Sequence, residues 1–129
     1  MIKVILLDFF GVLWLEDGLN MPLLKEVQEL QGEYDFMILS NMGRGGFDDR
    51  IPTEYQELFS KIFLSGETGY LKPHPEAFQQ VIDYAQVEAS EILFLDDYGA
   101  NVEAAQDAGM ASRVYAGRSL FDTINELVE

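Results

Sequence analysis

Four short apolar runs, each with a polar residue at or just beyond its carboxyl end, constrain this chain more than anything else in it. Asp8 closes Val4-Ile5-Leu6-Leu7, Ser40-Asn41 closes Phe36-Met37-Ile38-Leu39, and Asp96-Asp97 closes Ile92-Leu93-Phe94-Leu95. Lys72 stands a few residues beyond a further run, Ile62-Phe63-Leu64. Continuous short apolar runs separated by helix-like stretches are what strands buried on both faces write into a sequence. The pattern predicts an α/β fold: a three-layer, Rossmann-like doubly wound sheet of about five parallel strands. In such open sheets, ligands bind in the crevice outside the carboxyl ends of the strands. Carboxylates, a hydroxyl and an ammonium converge on that crevice, so a reactive site is the leading expectation.

The segments between the runs supply the helices. Gly11 to Asn20 reads as a loop or small hairpin, with Glu16-Asp17-Gly18 as its turn. A helix is expected from near Asn20, with Pro22 in its first turn and Leu23, Leu24, Val27 and Leu30 on its apolar face. Gly32 ends it, and a second strand covers Asp35 to Ser40. Met42 to Pro52, polar and rich in glycine, reads as a loop. A short helix from Thr53 to Phe59, a third strand from Lys61 to Leu64 and a loop from Ser65 to Pro73 follow. Pro75 opens a helix that should bury Phe78, Val81, Ile82 and Ala85. After the fourth strand come a helix near Ala100 to Ala108, a fifth strand at Ala111 to Tyr115 and a last helix at Leu120 to Leu127. Nothing in residues 1–129 reads as a repeat or linker, which suits a single domain.

Composition narrows the chemistry. The chain has no cysteine and one histidine, His74, so thiolate and multi-histidine metal sites are excluded. A metal here would be held by oxygen, which points to Mg²⁺ rather than zinc. A formal charge of −15 repels nucleic acid and anionic lipid at long range, although plain solubility is the more ordinary meaning of such a charge. The first apolar run is cut by Asp8 too early for a signal peptide, and no run approaches the ~20 residues that span a bilayer. A reducing, cytoplasmic setting is expected, with no nucleic-acid or membrane partner.

Taken in order, Leu7-Asp8-Phe9-Phe10-Gly11-Val12-Leu13, Leu39-Ser40-Asn41, Leu71-Lys72-Pro73-His74-Pro75 and Phe94-Leu95-Asp96-Asp97 resemble the signatures of the haloacid dehalogenase superfamily of hydrolases. The resemblance covers nearly the whole chain. It implies that Asp8 is a nucleophile forming a covalent aspartyl intermediate. It further implies that Lys72 neutralises the nucleophile and the transferred group, and that Ser40 and Asn41 hydrogen-bond phosphoryl oxygens by hydroxyl and backbone N–H. Asp96 and Asp97 resemble the family's metal-binding pair, Asp97 matching its most constant ligand, although either could instead cap a helix. Asn101, four residues after Asp97, could orient that carboxylate. A net −2 from Asp8, Asp96, Asp97 and Lys72 would exclude a phosphate dianion unless Mg²⁺ bridged them.

The resemblance breaks at one place. The family's phosphatases carry a second aspartate two residues after the nucleophile, which protonates the leaving oxygen; here that residue is Phe10. Losing general acid–base help typically costs ~10²–10⁴ in rate, while the Phe10 carbonyl could still serve the metal. Haloacid dehalogenases themselves carry an aromatic there, but they are metal-free, lack the double aspartate and need a cap domain. Asp8 to Ser40 and Ser40 to Lys72 are each 32 positions apart, too few for a cap. The implied protein is a capless, Mg²⁺-dependent hydrolase of a phosphorylated small molecule or protein, with an open site that a second subunit could cover. A relative that binds Mg²⁺ and a phosphorylated ligand without turnover is the alternative. A two-component receiver domain places its paired acids at the first strand and is set aside. Trp14 and Leu15 could form part of a lid, or pack onto the domain itself. Arg44 could touch an anionic substrate, or be a mobile loop arginine. The glycines around Arg44 fail the dinucleotide-loop spacing because Asp48 stands where the third should be. His74 reads as a turn or helix-cap residue.

Overall fold

The computed structural model describes residues 1–127. Five parallel strands form its sheet: β1 (Val4–Leu7), β4 (Asp35–Ser40), β5 (Lys61–Leu64), β6 (Ile92–Asp96) and β7 (Ala111–Val114). Their spatial order is β5-β4-β1-β6-β7, so the first strand lies in the middle. Leu7 pairs with Ile38 on one side and Leu95 on the other, which brings Asp8, Ser40 and Asp96 to one edge of the sheet. A two-stranded flap follows β1, made of β2 (Trp14–Leu15) and β3 (Gly18–Leu19).

Alternation along each strand builds two cores. Ile5, Leu7, Phe36, Ile38, Leu93 and Leu95 face one side. There they meet Leu23, Leu24 and Val27 of α1 (Met21–Glu29) and Leu120 and Ile124 of α7 (Leu120–Leu127). Val4, Leu6, Met37, Leu39, Ile92 and Phe94 face the other side. Their partners are Ala77, Phe78 and Val81 of α5 (Pro75–Ala85) and Ala105 of α6 (Gly99–Asp107). The three-layer doubly wound sheet is therefore observed, and the continuous apolar runs reflect strands covered on both faces. Ile82 and Ala85 pack only partly against their core, and Ala77 is the buried residue that the periodic reading of α5 left out.

Asn20 caps α1 as its sequence position suggests: its Oδ1 accepts from Leu23 N at 3.3 Å. Its Nδ2 donates to the Val12 carbonyl at 2.9 Å and to the Tyr115 hydroxyl at 2.8 Å, tying the flap to the end of β7. His74 occupies the N-cap position of α5 without a side-chain hydrogen bond.

Two segments read as loops contain helical turns. Arg44–Asp48 forms α2 despite Gly45 and Gly46. Tertiary contacts override the poor propensity of glycine here: Phe47 is fully buried in the core, and Arg44 reaches Glu67 at 2.8 and 3.1 Å. Arg44 is thus paired with Glu67 on a helical turn and does not line the acidic cavity. After α3 (Thr53–Gln56) and β5, Ser65–Thr68 forms a single turn, α4, ended by Gly69 at φ 80°. Between Asp8 and Ser40 the chain holds the flap, α1 and β4; between Ser40 and Lys72 it holds α2, α3, β5 and α4. Among the described residues no helix is long and apolar enough to cross a membrane.

Candidate active site

Asp8 stands one residue beyond β1, and its backbone N–H donates to the Leu95 carbonyl at 3.0 Å, which locks it beside the end of β6. Lys72 reaches the same point from the far side of the sheet edge. Its ammonium donates to Asp8 Oδ1 at 2.7 Å and to Asp96 Oδ2 at 2.8 Å, with all three side chains largely withdrawn from solvent. The lysine backbone is held in turn by Asn41, whose Nδ2 donates to the Lys72 carbonyl at 3.0 Å and whose Oδ1 accepts from Lys72 N at 2.9 Å. The Asn41 side chain therefore positions the lysine, and Ser40 and Asn41 both line the cavity.

Asp96 is fully buried and fully engaged. Besides Lys72, its Oδ2 accepts from Asn101 Nδ2 at 3.0 Å, and its Oδ1 accepts from the backbone N–H of Tyr98 at 3.0 Å. The expected pairing of Asn101 with Asp97 is thus corrected. Helix α6 begins only at Gly99, so Asp97 lies outside it and the four-residue spacing does not apply. Neither aspartate is the N-cap of α6; that position belongs to Tyr98.

Asp97 turns instead toward the flap. A Cβ on Gly11 would lie 2.0 Å from Asp97 Oδ2, and Gly11 has φ +84°, so a side chain there would both strain the backbone and displace the Asp97 carboxylate. Carboxylate oxygens of Asp8, Asp96 and Asp97 fall within 4.8 Å of one another, a donor set that suits a hard cation. The Phe10 carbonyl receives no hydrogen bond from the described residues.

The charges strain against each other. Burial pushes the Asp8 carboxyl up to about 7; the Lys72 ammonium opposes the shift and the Asp96 charge adds to it. Burial, then the hydrogen bond and charge of Asp96, hold the Asp97 carboxyl above its ordinary range. Both shifts mean that the site resists carrying its full negative charge unaided.

These residues line a cavity of about 290 Å³ with Phe10, Gly11 and Tyr98 at its walls. A larger cleft of about 510 Å³ lies across Gly11, but its polar groups are spent on structure. Asn20 is committed as described, and Glu26 Oε2 accepts from Leu120 N at 2.8 Å. The clustered carboxylates and Lys72 belong to the smaller cavity. Trp14 packs onto the domain, stacked on Phe9 with centroids 6.1 Å apart, while Leu15 is exposed. Arg50, unremarkable in the sequence, places its guanidinium 5.4 Å from the Phe10 ring centroid and 5.7 Å from that of Trp14. Gly11 and Arg50 act through contacts distant in sequence, and only the place of Gly11 beside the Asp8 run hinted at either.

Comparison with known proteins agrees with this arrangement. Residues 22–114 match the sequence family of haloacid dehalogenase-like hydrolases, a span holding Ser40, Asn41, Lys72, Asp96 and Asp97 but not Asp8. The chain is 28% identical over 101 residues to bifunctional epoxide hydrolase 2 of Rattus norvegicus, covering 74% of this chain and 18% of that protein. It is 33% identical over 86 residues to a sesquiterpene phosphatase of Aspergillus oryzae, covering 65% of this chain and 44% of the relative. The chain therefore spans less than half the length of either relative. In structure it is similar to a haloacid dehalogenase-family enzyme of Bacteroides thetaiotaomicron, crystallised with magnesium and inorganic phosphate. The TM-score is 0.82 at 19% identity, over 95% of this chain and 99% of that one, a likeness of fold. With most of its length matched by the family, and with its acids and lysine meeting at the tips of a central parallel sheet, the chain belongs to the haloacid dehalogenase-like hydrolases.

Proposed function

We propose that the chain is a capless, Mg²⁺-dependent phosphohydrolase that works through Asp8. The observation that carries this reading is the buried Lys72 ammonium, 2.7 Å from Asp8 and 2.8 Å from Asp96, beside three clustered carboxylates. Asp8, Asp97 and the Phe10 carbonyl would hold the ion directly, while Asp96 completes the acidic set and fixes Lys72. Bound there, Mg²⁺ would offset the site's negative charge and polarise a phosphoryl oxygen. One Asp8 oxygen attacks phosphorus, and the ester oxygen leaves with the electron pair of the broken P–O bond. Water then attacks the aspartyl phosphate, restoring the Asp8 carboxylate and releasing inorganic phosphate. Lys72, Ser40 and the Asn41 backbone N–H hold the phosphoryl oxygens in place through both steps. The phosphatase among the relatives and the magnesium- and phosphate-bound neighbour of like fold support the reading.

Beryllium fluoride, which mimics a phosphoryl group on a carboxylate, tests it. Fluorine NMR should show a bound resonance in the presence of Mg²⁺ that disappears in Asp8→Asn and on addition of a chelator. A bound signal persisting in Asp8→Asn, or none in the wild type, overturns the proposal.

Phe10 favours a second reading, a module that binds Mg²⁺ and a phosphorylated small molecule or protein without turning it over. That module would capture beryllium fluoride but release no phosphate from any ester.

A further inference from the structure

Once its own interactions are counted, the lining of the acidic cavity has no group left to protonate a departing oxygen. Lys72 is shared between Asp8 and Asp96, and both Asp96 oxygens are engaged by Lys72, Asn101 and the Tyr98 backbone. Asp97 belongs to the proposed ion. The remaining wall is Phe10, Gly11, Ser40, Asn41, Tyr98 and Asn101. None of these is a carboxylic acid or an imidazole, the side chains that ordinarily hand a proton to a leaving oxygen. A leaving oxygen must therefore depart as an anion. An alkoxide is about as basic as hydroxide and leaves correspondingly poorly. A phenolate, with a conjugate acid near 10, is several orders of magnitude easier to expel.

The same wall offers a surface for a phenol. Its two exposed apolar side chains are both aromatic, Phe10 at 42% exposure and Tyr98 at 62%. The Phe10 ring is fixed, meeting Phe9 edge-on at 5.3 Å with the Arg50 guanidinium 5.4 Å from its centroid. A ring held still beside a reactive carboxylate favours another ring over an aliphatic chain, because stacked or edge-on aromatic pairs attract beyond simple burial.

We infer that the site selects aryl phosphates, esters of a phenol, with Phe10 and Tyr98 positioning the aromatic leaving group. This rests on the proposal that Asp8 is the nucleophile. The Asp8–phosphorus bond forms as the P–O(aryl) bond breaks, and the electron pair leaves on a phenolate that takes its proton from bulk water. Water then adds to phosphorus as the Asp8–phosphorus bond breaks, its protons passing to the released phosphate and solvent. No side chain is placed to activate that water, so this second half is the slow one, and phenol appears ahead of phosphate.

A leaving-group series with Mg²⁺ tests the inference, using substituted phenyl phosphates and simple alkyl phosphates. The wild type should show kcat/KM falling steeply with leaving-group basicity, at least about 100-fold from phenyl to alkyl esters, and a burst of one phenol per chain. Phe10→Leu and Tyr98→Leu should each raise KM for phenyl phosphate about 3- to 10-fold with kcat within twofold, and Phe10→Tyr should restore it. A flat series, or KM unmoved in both leucine variants, overturns the inference. A phosphotyrosyl peptide run beside 4-methylphenyl phosphate separates the two sources of the ring: a higher kcat/KM for the peptide assigns a protein side chain, equal values a free phenol, and either supports the aryl assignment. Beryllium fluoride capture on the same preparation keeps the two proposals apart. Capture with a flat series removes only the aryl preference, whereas failure of capture removes the nucleophile with it.

Discussion

Lys72 and Asp96 meet at 2.8 Å directly beside Asp8, with side chains 2% and 1% exposed. The same ammonium lies 2.7 Å from Asp8, so one buried cation serves two carboxylates on adjacent strands. Its own backbone is bracketed by Asn41 and its deeper partner by Asn101, so the charge is fixed before any ligand arrives. Buried pairs of this kind contribute less than their geometry suggests, but losing one member leaves an uncompensated charge.

Lys72→Met should therefore destabilise the protein by about 3–5 kcal/mol near neutral pH, with Asp8 and Asp96 left facing each other. Urea unfolding measures this. The loss should shrink at pH 5, where protonation of Asp8 relieves the repulsion.

Asp8 gives a pH dependence opposite to that of most carboxylates. Its folded-state pKa of about 7 lies above the ordinary carboxylate value of 3.8 expected when unfolded. The folded state thus binds the proton more tightly, and the stability from this group is fully present below the unfolded pKa and lost as pH rises through about 7. Asp8→Asn, which is neutral throughout and keeps an acceptor for Lys72, should raise the melting temperature of metal-free protein at pH 8. The gain should fade toward pH 4, and thermal scans in a chelating buffer across that range measure it.

The contact between Gly11 and Asp97 predicts an effect on the ion. Gly11→Ala puts a methyl where Asp97 Oδ2 stands, so that carboxylate must turn away. Affinity for Mn²⁺, used as a paramagnetic stand-in for Mg²⁺, should fall at least about tenfold, because one anionic ligand is withdrawn. Water proton relaxation during a Mn²⁺ titration reads the change.

Under the proposed function, Phe10 should limit chemistry rather than folding. Phe10→Asp supplies a carboxyl at the cavity wall and should raise turnover of alkyl phosphates by about 10²–10⁴-fold, with a smaller gain for aryl esters. Phosphate release from both ester classes checks the difference.

What could be read from the sequence follows from how local each signal is. Asp8, Ser40 and Asp96 stood out because strands buried on both faces leave uninterrupted apolar runs, and the residue closing each run marks the functional edge of the sheet. Lys72 followed from its place before the helix opened by Pro75. Helix α2 did not follow, since its support is the burial of Phe47 and a pair between Arg44 and Glu67 from a separate element. Asn101 was matched to the wrong aspartate because helical spacing was applied to Asp97, which precedes the helix. Gly11 against Asp97 and Arg50 over Phe10 are meetings of distant segments that no window of sequence contains.

One ion shared between the ends of β1 and β6 is the centre of the proposed function, and isothermal titration of Mg²⁺ into the protein at pH 8 measures it directly. The expected result is a saturable heat at one ion per chain, lost in Asp97→Asn while that variant keeps its fold by circular dichroism. No heat with the wild type, or an undiminished isotherm with Asp97→Asn, would contradict it.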